Sequence, residues 1–472
     1  MLSTIGESGD TQCGLREHMS LRQRPVGVIG SRNMADQAAS SPSDHPIPAH
    51  DGTPPRPSPR KRIRLNRVLG RIVPLILLIY TAFTYDLVIH RYAFRYLFLQ
   101  QNRILLPVVW LLPTHGLLLL ALRSYLYVFF AHDAEVHGQK ISWLRRRLGA
   151  VFPSPSLARH QSSTSLGASL STLLSHSSDL DVHISLCQPN GQPILCNRDA
   201  CRDRPKSLRT RHCGDCGICR LGFDHHCAWF DNDVTSPATL RHFIGFLLSI
   251  PPLYLLGLAP LFTTAWRVVR SIHALSSTNV ELRERWWRRW YSWIGGPAYR
   301  YLVGWGWAAS KWAKMKEARL PHETVRAPVL VALGAAFALI AVALAANSIG
   351  NLCQGKLTID VERHKAFHKL QQRLQKLQAA GKDGHEAKMV LIRQKMDSLA
   401  PVQFFKVSWK EQGKTERREE IVRLSVDQGL LFQGSTWDNL RYFLWSNSET
   451  NHAWSLSDSA LRSVLEETSL AF

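Results

Sequence analysis

Four apolar blocks, at 72–88, 104–130, 243–266 and 327–349, decide what this chain can fold into. Each approaches the ~20 helical residues that a bilayer core requires. A soluble core helix rarely stays apolar around its whole circumference, so each block predicts a membrane-spanning helix. The expected fold is that of an α-helical integral membrane protein with four transmembrane helices. Asp86 and Arg123 interrupt the first two blocks without breaking them.

The formal charge of +22 has two possible meanings, a nucleic-acid partner or a membrane surface. Its lysines and arginines lie mostly in loops and flanks of the apolar blocks, which favours the bilayer as partner and excludes nucleic acid. The run "PRKRIRLNR" at 59–67 precedes the first block and predicts a cytosolic N-terminus. An even number of spans returns the C-terminus to the same side. The connection 267–326 is also basic and fits poorly on the far side, although its length weakens the charge rule there. Its stretch "RERWWRRWYSWIGGPAYRYLVGWGW" mixes aromatics with arginine and predicts an interfacial helix.

These signals divide the chain into a disordered basic N-terminal region at 1–67, the first two spans at 68–130, and a cytosolic low-complexity linker at 131–186. A cysteine-rich domain at 187–242, two further spans at 243–349 and a cytosolic tail at 350–472 follow. In the tail, Leu370, Leu374 and Leu377 have helical spacing, "GKDG" at 381–384 should end that helix, and "VQFFKVSW" at 402–409 reads as a strand.

Seven of the nine cysteines lie between Cys187 and Cys227. Histidines interleaved with them favour zinc over disulfides, and zinc thiolates suit a reducing compartment. Cys213, Cys216 and Cys219 are spaced so that pairs can reach one ion from a tight turn. With Cys196, Cys201, His212 and His226 they give seven nitrogen or sulfur ligands, one short of two tetrahedral sites. Either one site stays open or an oxygen completes it, and Asp233 is a nearby carboxylate. Asp224, His225 and Cys227 remain. They have the residue types of an activated thiol with its base and an orienting acid, provided that a turn folds them together.

At these residues the chain resembles the DHHC protein S-acyltransferases, or palmitoyltransferases, on "DHHC" at Asp224–Cys227, "HCGDCGIC" at 212–219, Trp229 and Asn232. The resemblance implies a small cytosolic two-zinc domain between the second and third spans. One zinc falls to Cys196, Cys201, His212 and Cys219, and a second to Cys213, Cys216, His226 and position 233. Cys227 becomes the acylated nucleophile, His225 the general base and Asp224 its orienting partner. The two structural ions would fold a strand-poor loop. The implied activity moves a long-chain acyl group from acyl-CoA, such as palmitoyl-CoA, to cysteines of substrate proteins in endoplasmic reticulum or Golgi membranes. Arg204, Lys206, Arg209 and Arg211 are candidates to meet the CoA phosphates. Two further family motifs survive in part, as Thr358 and Asp360 of "LTID" and as Asn439 and Phe443 in the tail, both with expected structural roles.

The chain departs from the family pattern in the four-residue spacing from Cys196 to Cys201, in Ala228, in Asp233 where the family has cysteine, and in "HDAEVHG" at 132–138. Were Cys227 drawn onto the second zinc in place of Asp233, the alternative would be a catalytically weak or inactive membrane scaffold of the same fold.

Overall fold

The computed structural model describes residues 65–131, 181–198, 201–206, 209–236, 238–315, 320–380, 385–397, 399, 402–410, 416–425, 432, 434–445 and 458–468. Expectations for residues 1–64, for the serine-rich part of the linker, for 132–138 and for the 381–384 break lie outside them.

Among the described residues four helices are long and apolar enough to cross a membrane, matching the four blocks. Helix α1 (Leu65–Tyr85) runs on in the wider π geometry over Asp86–Gln100, closed by the Gln101 N–H to the Tyr96 carbonyl at 3.0 Å. Helix α2 is Leu105–Phe130, α3 Leu240–Thr278 and, after a shorter α4 at Gly296–Lys314, α5 is Arg326–Cys353. Their outer faces stay open: Leu105 is 79% and Leu112 76% exposed, as expected of side chains meant for lipid rather than protein. Between helices, packing relies on small residues; Ala338, Ala341 and Ala345 line one face of α5 and let α3 approach closely.

Two spans are longer than the sequence suggested. The first runs past Val88 because Asp86 is paired with Arg91 at 3.1 Å and with Arg326 at 3.5 Å, so its charge does not break the helix. The third runs past Trp266 because Val268 and Ile272 are buried against Leu282, Ala308 and Trp312. That packing gathers the aromatic connection into a helical layer, with the Arg300 guanidinium 4.2 Å from the Trp293 ring and 5.4 Å from Trp287. Its excess of arginine is partly neutralised by pairs such as Arg285 with Glu281 and Arg288 with Glu284.

The cysteine-rich segment is built from short hairpins rather than strand-poor loop. Strand β1 (Asp181–Cys187) leads in, followed by β2 (Arg211–Cys213) with β3 (Ile218–Arg220), and β4 (Phe223–Cys227) with β5 (Asn232–Thr235). The tail then supplies α6 (Thr358–Ala379), α7 (Glu386–Asp397), β6 (Val402–Lys410), β7 (Arg418–Ser425), α8 (Thr436–Trp445) and α9 (Asp458–Glu466). On α6, Leu370, Leu374 and Leu377 are half-buried, and α7 packs against the helix. Strand β1 joins the tail hairpin in one antiparallel sheet of order β1-β6-β7, with Ile184 opposite Val407. The expected boundary between 186 and 187 therefore falls inside a strand.

Candidate active site and metal centres

Strand alternation sorts the crowded histidines and cysteines. In a strand successive side chains point to opposite faces, and residues opposite each other on paired strands share a face. On the first hairpin His212 is opposite Cys219 and their side chains meet, His212 Nδ1 lying 3.7 Å from the Cys219 and Cys196 thiols. Cys213, one residue on, turns to the other face. There it joins Cys216, His226 and Asp233, whose donor atoms all lie within 4.8 Å of one another. His226 is opposite Asp233 across β4 and β5, which explains why these two arrive together.

Both groups fit zinc by their donor chemistry and spacing. Zinc bonds of about 2.3 Å to sulfur and 2.0–2.1 Å to nitrogen put tetrahedral sulfur and nitrogen donors about 3.6 Å apart. His226 Nδ1 lies 3.7 Å from the Cys213 sulfur and 3.5 Å from Cys216, and the first group shows 3.7 Å twice. In that first group Cys196, His212 and Cys219 form the tight set. Cys201 stands beside it and accepts the Cys219 backbone N–H at 3.3 Å. In the second group Asp233 supplies the oxygen. Burial alone would raise its pKa, but the His226 hydrogen bond and the Arg220 charge outweigh burial and hold the carboxyl below its usual range.

Cys227 is outside both groups. Two residues along β4 from His225 it shares that residue's face, and it belongs to the buried cluster that includes Phe230, Val234, Phe243 and Leu247. The turn that the Asp-His-Cys trio was expected to need is replaced by a register shift between Phe223 and His225, which brings the Asp224 carboxylate round to its neighbour. Asp224 Oδ2 accepts from His225 Nδ1 at 2.6 Å. Burial acts to lower the His225 pKa; the Asp224 carboxylate and the Cys227 sulfur beside the ring more than offset it and raise it to about 10.

The 2%-exposed Asp224 side chain is fixed from behind by a residue that the sequence had suggested was structural. The Thr358 backbone N–H donates to Oδ1 at 2.6 Å and its hydroxyl to Oδ2 at 3.0 Å, so the carboxylate caps the first turn of α6. Thr358→Val keeps the N–H and removes the hydroxyl. A hydrogen bond to a charged acceptor contributes about 1.5–3 kcal/mol. Acylation of Cys227 should slow about tenfold by timed labelling, with the thermal midpoint in detergent little changed; an unchanged rate would confine Thr358 to holding the helix.

Of the four candidates for CoA phosphates, Arg204 and Arg211 are exposed and Lys206 is half-buried. Arg209 is not available in the way expected. Its side chain is 4% exposed and paired with Asp360 at 2.8 Å, it donates to the Gly355 carbonyl at 2.7 Å, and it lies 5.0 Å over the Phe443 ring. A desolvated, multiply bonded guanidinium has no reason to leave for a phosphate. Arg209 instead ties the loop before α6 to the tail. Asn439 strengthens the same corner by donating to the Cys353 carbonyl at 3.2 Å and to that of Ser435 at 2.9 Å. Asn232 does so at α2, where its amide reaches the Val128 and Ala131 carbonyls at 2.8 and 2.7 Å.

Residues 196–365 match the sequence profile of the family described as DHHC palmitoyltransferase. Among curated proteins, palmitoyltransferase pfa5 of Emericella nidulans is 36% identical over 64 residues, 14% of this chain and 12% of that protein. Palmitoyltransferase ZDHHC17 of Rattus norvegicus is 45% identical over 42 residues, 9% of this chain and 7% of the relative; in the Homo sapiens protein the share is 6%. The chain thus spans about an eighth or less of the length of the curated relatives it matches. The motif, the hairpins that carry it and this profile agree: over residues 196–365 the chain carries a domain of the DHHC palmitoyltransferase family.

Proposed function

We propose that this chain is a protein S-acyltransferase that moves a long-chain acyl group from acyl-CoA to cysteine thiols of substrate proteins through a thioester on Cys227. The observation that supports the reading is the bulged strand β4, on which the Asp224-bound His225 and Cys227 share the side that faces Phe243 of the long helices. The Asp224 carboxylate against the ring favours the imidazolium that forms when His225 takes a proton from a thiol.

The cycle exchanges one thioester for another twice. His225 takes the proton from the Cys227 sulfur. The thiolate attacks the acyl carbonyl, the new carbon–sulfur bond forms as the bond to CoA breaks, and the departing CoA sulfur receives the proton from His225. The substrate cysteine then gives its proton to His225 and attacks the acyl-enzyme, releasing Cys227 as a thiolate that takes the proton back. Asp224 orients the imidazole throughout and offsets its positive charge.

In this reading Cys196, Cys201, His212 and Cys219 hold one structural zinc and Cys213, Cys216, His226 and Asp233 the other. The ions supply folding energy and no reaction step. The four long helices cross the bilayer with the zinc domain and both termini cytosolic, in endoplasmic reticulum or Golgi membranes. Trp290, Trp293 and Leu302, at 77%, 53% and 75% exposure, meet the far headgroup region. Arg204, Lys206 and Arg211 remain the candidates for the CoA phosphates.

The test is incubation of the purified full chain with a clickable palmitoyl-CoA. The expected outcome is label that hydroxylamine removes, present on the unaltered chain and absent from Cys227→Ser. Absence of label on folded protein holding two zinc ions would leave the scaffold as the reading.

A further inference from the structure

The second metal group contains a partner that its ligand spacing does not announce. Asp233 presents two oxygens to different neighbours: Oδ1 lies 2.8 Å from His226 Nδ1 on the side of the thiols, and Oδ2 accepts from Arg220 Nε at 3.1 Å. Both side chains are sealed from water, at 7% exposure for Arg220 and 1% for Asp233. Arg220 closes β3, the strand that carries Cys219 of the first group, so the ion pair also ties one hairpin to the other.

A thiolate offers a metal one atom. A carboxylate offers two and can bind through either or both, so a site completed by aspartate must fix which oxygen faces the ion. Outer partners normally do this, and a ligating imidazole normally has one on its far nitrogen as well. Among the described residues His226 has none: its Nε2 is buried with no hydrogen-bond partner there. The orientation of the second group therefore falls on the far oxygen of Asp233.

We infer that Arg220 is a positioning residue for the second zinc centre, holding Oδ2 so that Asp233 binds the ion through Oδ1 alone as a one-atom replacement for a thiolate. The inference rests on the two-zinc reading above. Arg220 would also offset the net negative charge of two thiolates and a carboxylate around a divalent ion, but a third thiolate would leave the same net charge. Substituting position 233 therefore separates the two roles. If Arg220 orients a carboxylate, a cysteine there makes it dispensable; if it only balances charge, it stays necessary.

The experiment uses the purified full chain in detergent as the unaltered protein and as Arg220→Gln, Arg220→Lys, Asp233→Cys and the Asp233→Cys/Arg220→Gln double variant. Zinc per chain is counted, and release to a colorimetric chelator is timed. The unaltered chain should hold two ions. Loss of an outer partner typically weakens a metal site about 10–100-fold, so Arg220→Gln should release one of the two at least about tenfold faster, with Arg220→Lys between. Asp233→Cys should release slowly whether or not Arg220 is present, and the double variant also shows that the chain folds without the arginine. Retention of both ions by Arg220→Gln at the unaltered rate overturns the inference. So does equally rapid release from the double variant, which would assign Arg220 to charge balance or to fold. One ion in the unaltered chain is a different failure, that of the two-zinc reading.

Discussion

The Asp224→Asn substitution should slow acylation of Cys227 by roughly three orders of magnitude while leaving zinc content and thermal midpoint close to unaltered values. The carboxylate accepts three hydrogen bonds, from the Thr358 N–H at 2.6 Å, the Thr358 hydroxyl at 3.0 Å and His225 Nδ1 at 2.6 Å. An amide has one oxygen and one NH2 in their place. If the oxygen takes the place of Oδ2 beside His225, the NH2 meets the Thr358 backbone N–H; if it takes the place of Oδ1 and accepts that N–H, the NH2 donates to Nδ1. The second arrangement costs the chain less at the helix, and it moves the imidazole proton to the nitrogen that must receive the one from Cys227. The base is then in the wrong tautomer, which catalytic triads of this kind penalise by about 10³–10⁴. Quenched-flow labelling with fluorescent acyl-CoA measures the step directly. A rate within about fivefold of the unaltered chain would remove Asp224 from the orienting role.

Local signals in the sequence carried a long way here, and they stopped at contacts between distant parts of the chain. The four apolar blocks are legible because lipid exposure requires a continuous run, and Asp233 was legible as a candidate oxygen donor because it stands close to His226 with the ligand count one short; the structure groups it with Cys213, Cys216 and His226. That His226 and His225 face opposite ways was not legible, since it depends on β4 being a strand with a register shift. Thr358 and Asp224 lie 134 residues apart, and Arg209 and Gly355 146 apart, so no local pattern connects them. Arg209 looked like its neighbours because four basic residues in a row of loops have the same composition whether they face water or, as Arg209 does, a half-buried aspartate. The β1-β6 pairing was missed for a similar reason: VQFFKVSW showed strand alternation, but its partner followed a low-complexity run that masked it.

The other large effect concerns a residue that touches no part of the reaction. Cys216→Ser should lower the zinc count from two to one and reduce acylation of Cys227 at least about 100-fold, although Asp224, His225 and Cys227 are all retained. Serine is a poor zinc ligand, and a structural zinc site contributes on the order of 10–16 kcal/mol of apparent binding free energy at neutral pH. The strands that this energy stabilises are short: β2 and β3 have three residues each, and two-stranded hairpins are at best marginal alone. His226 is the residue between the proposed base His225 and the proposed nucleophile Cys227, so freeing its ring from the second group frees the backbone that aligns them. The 2.6 Å contact from His225 to Asp224 then has no fixed frame. Cys353→Ser, which removes a thiol outside both groups, is the control and should keep two ions and the unaltered rate. Zinc analysis and timed labelling on the same preparations decide the matter. A Cys216→Ser chain that loses one ion yet acylates normally would mean that the long helices hold β4 in place without the metal.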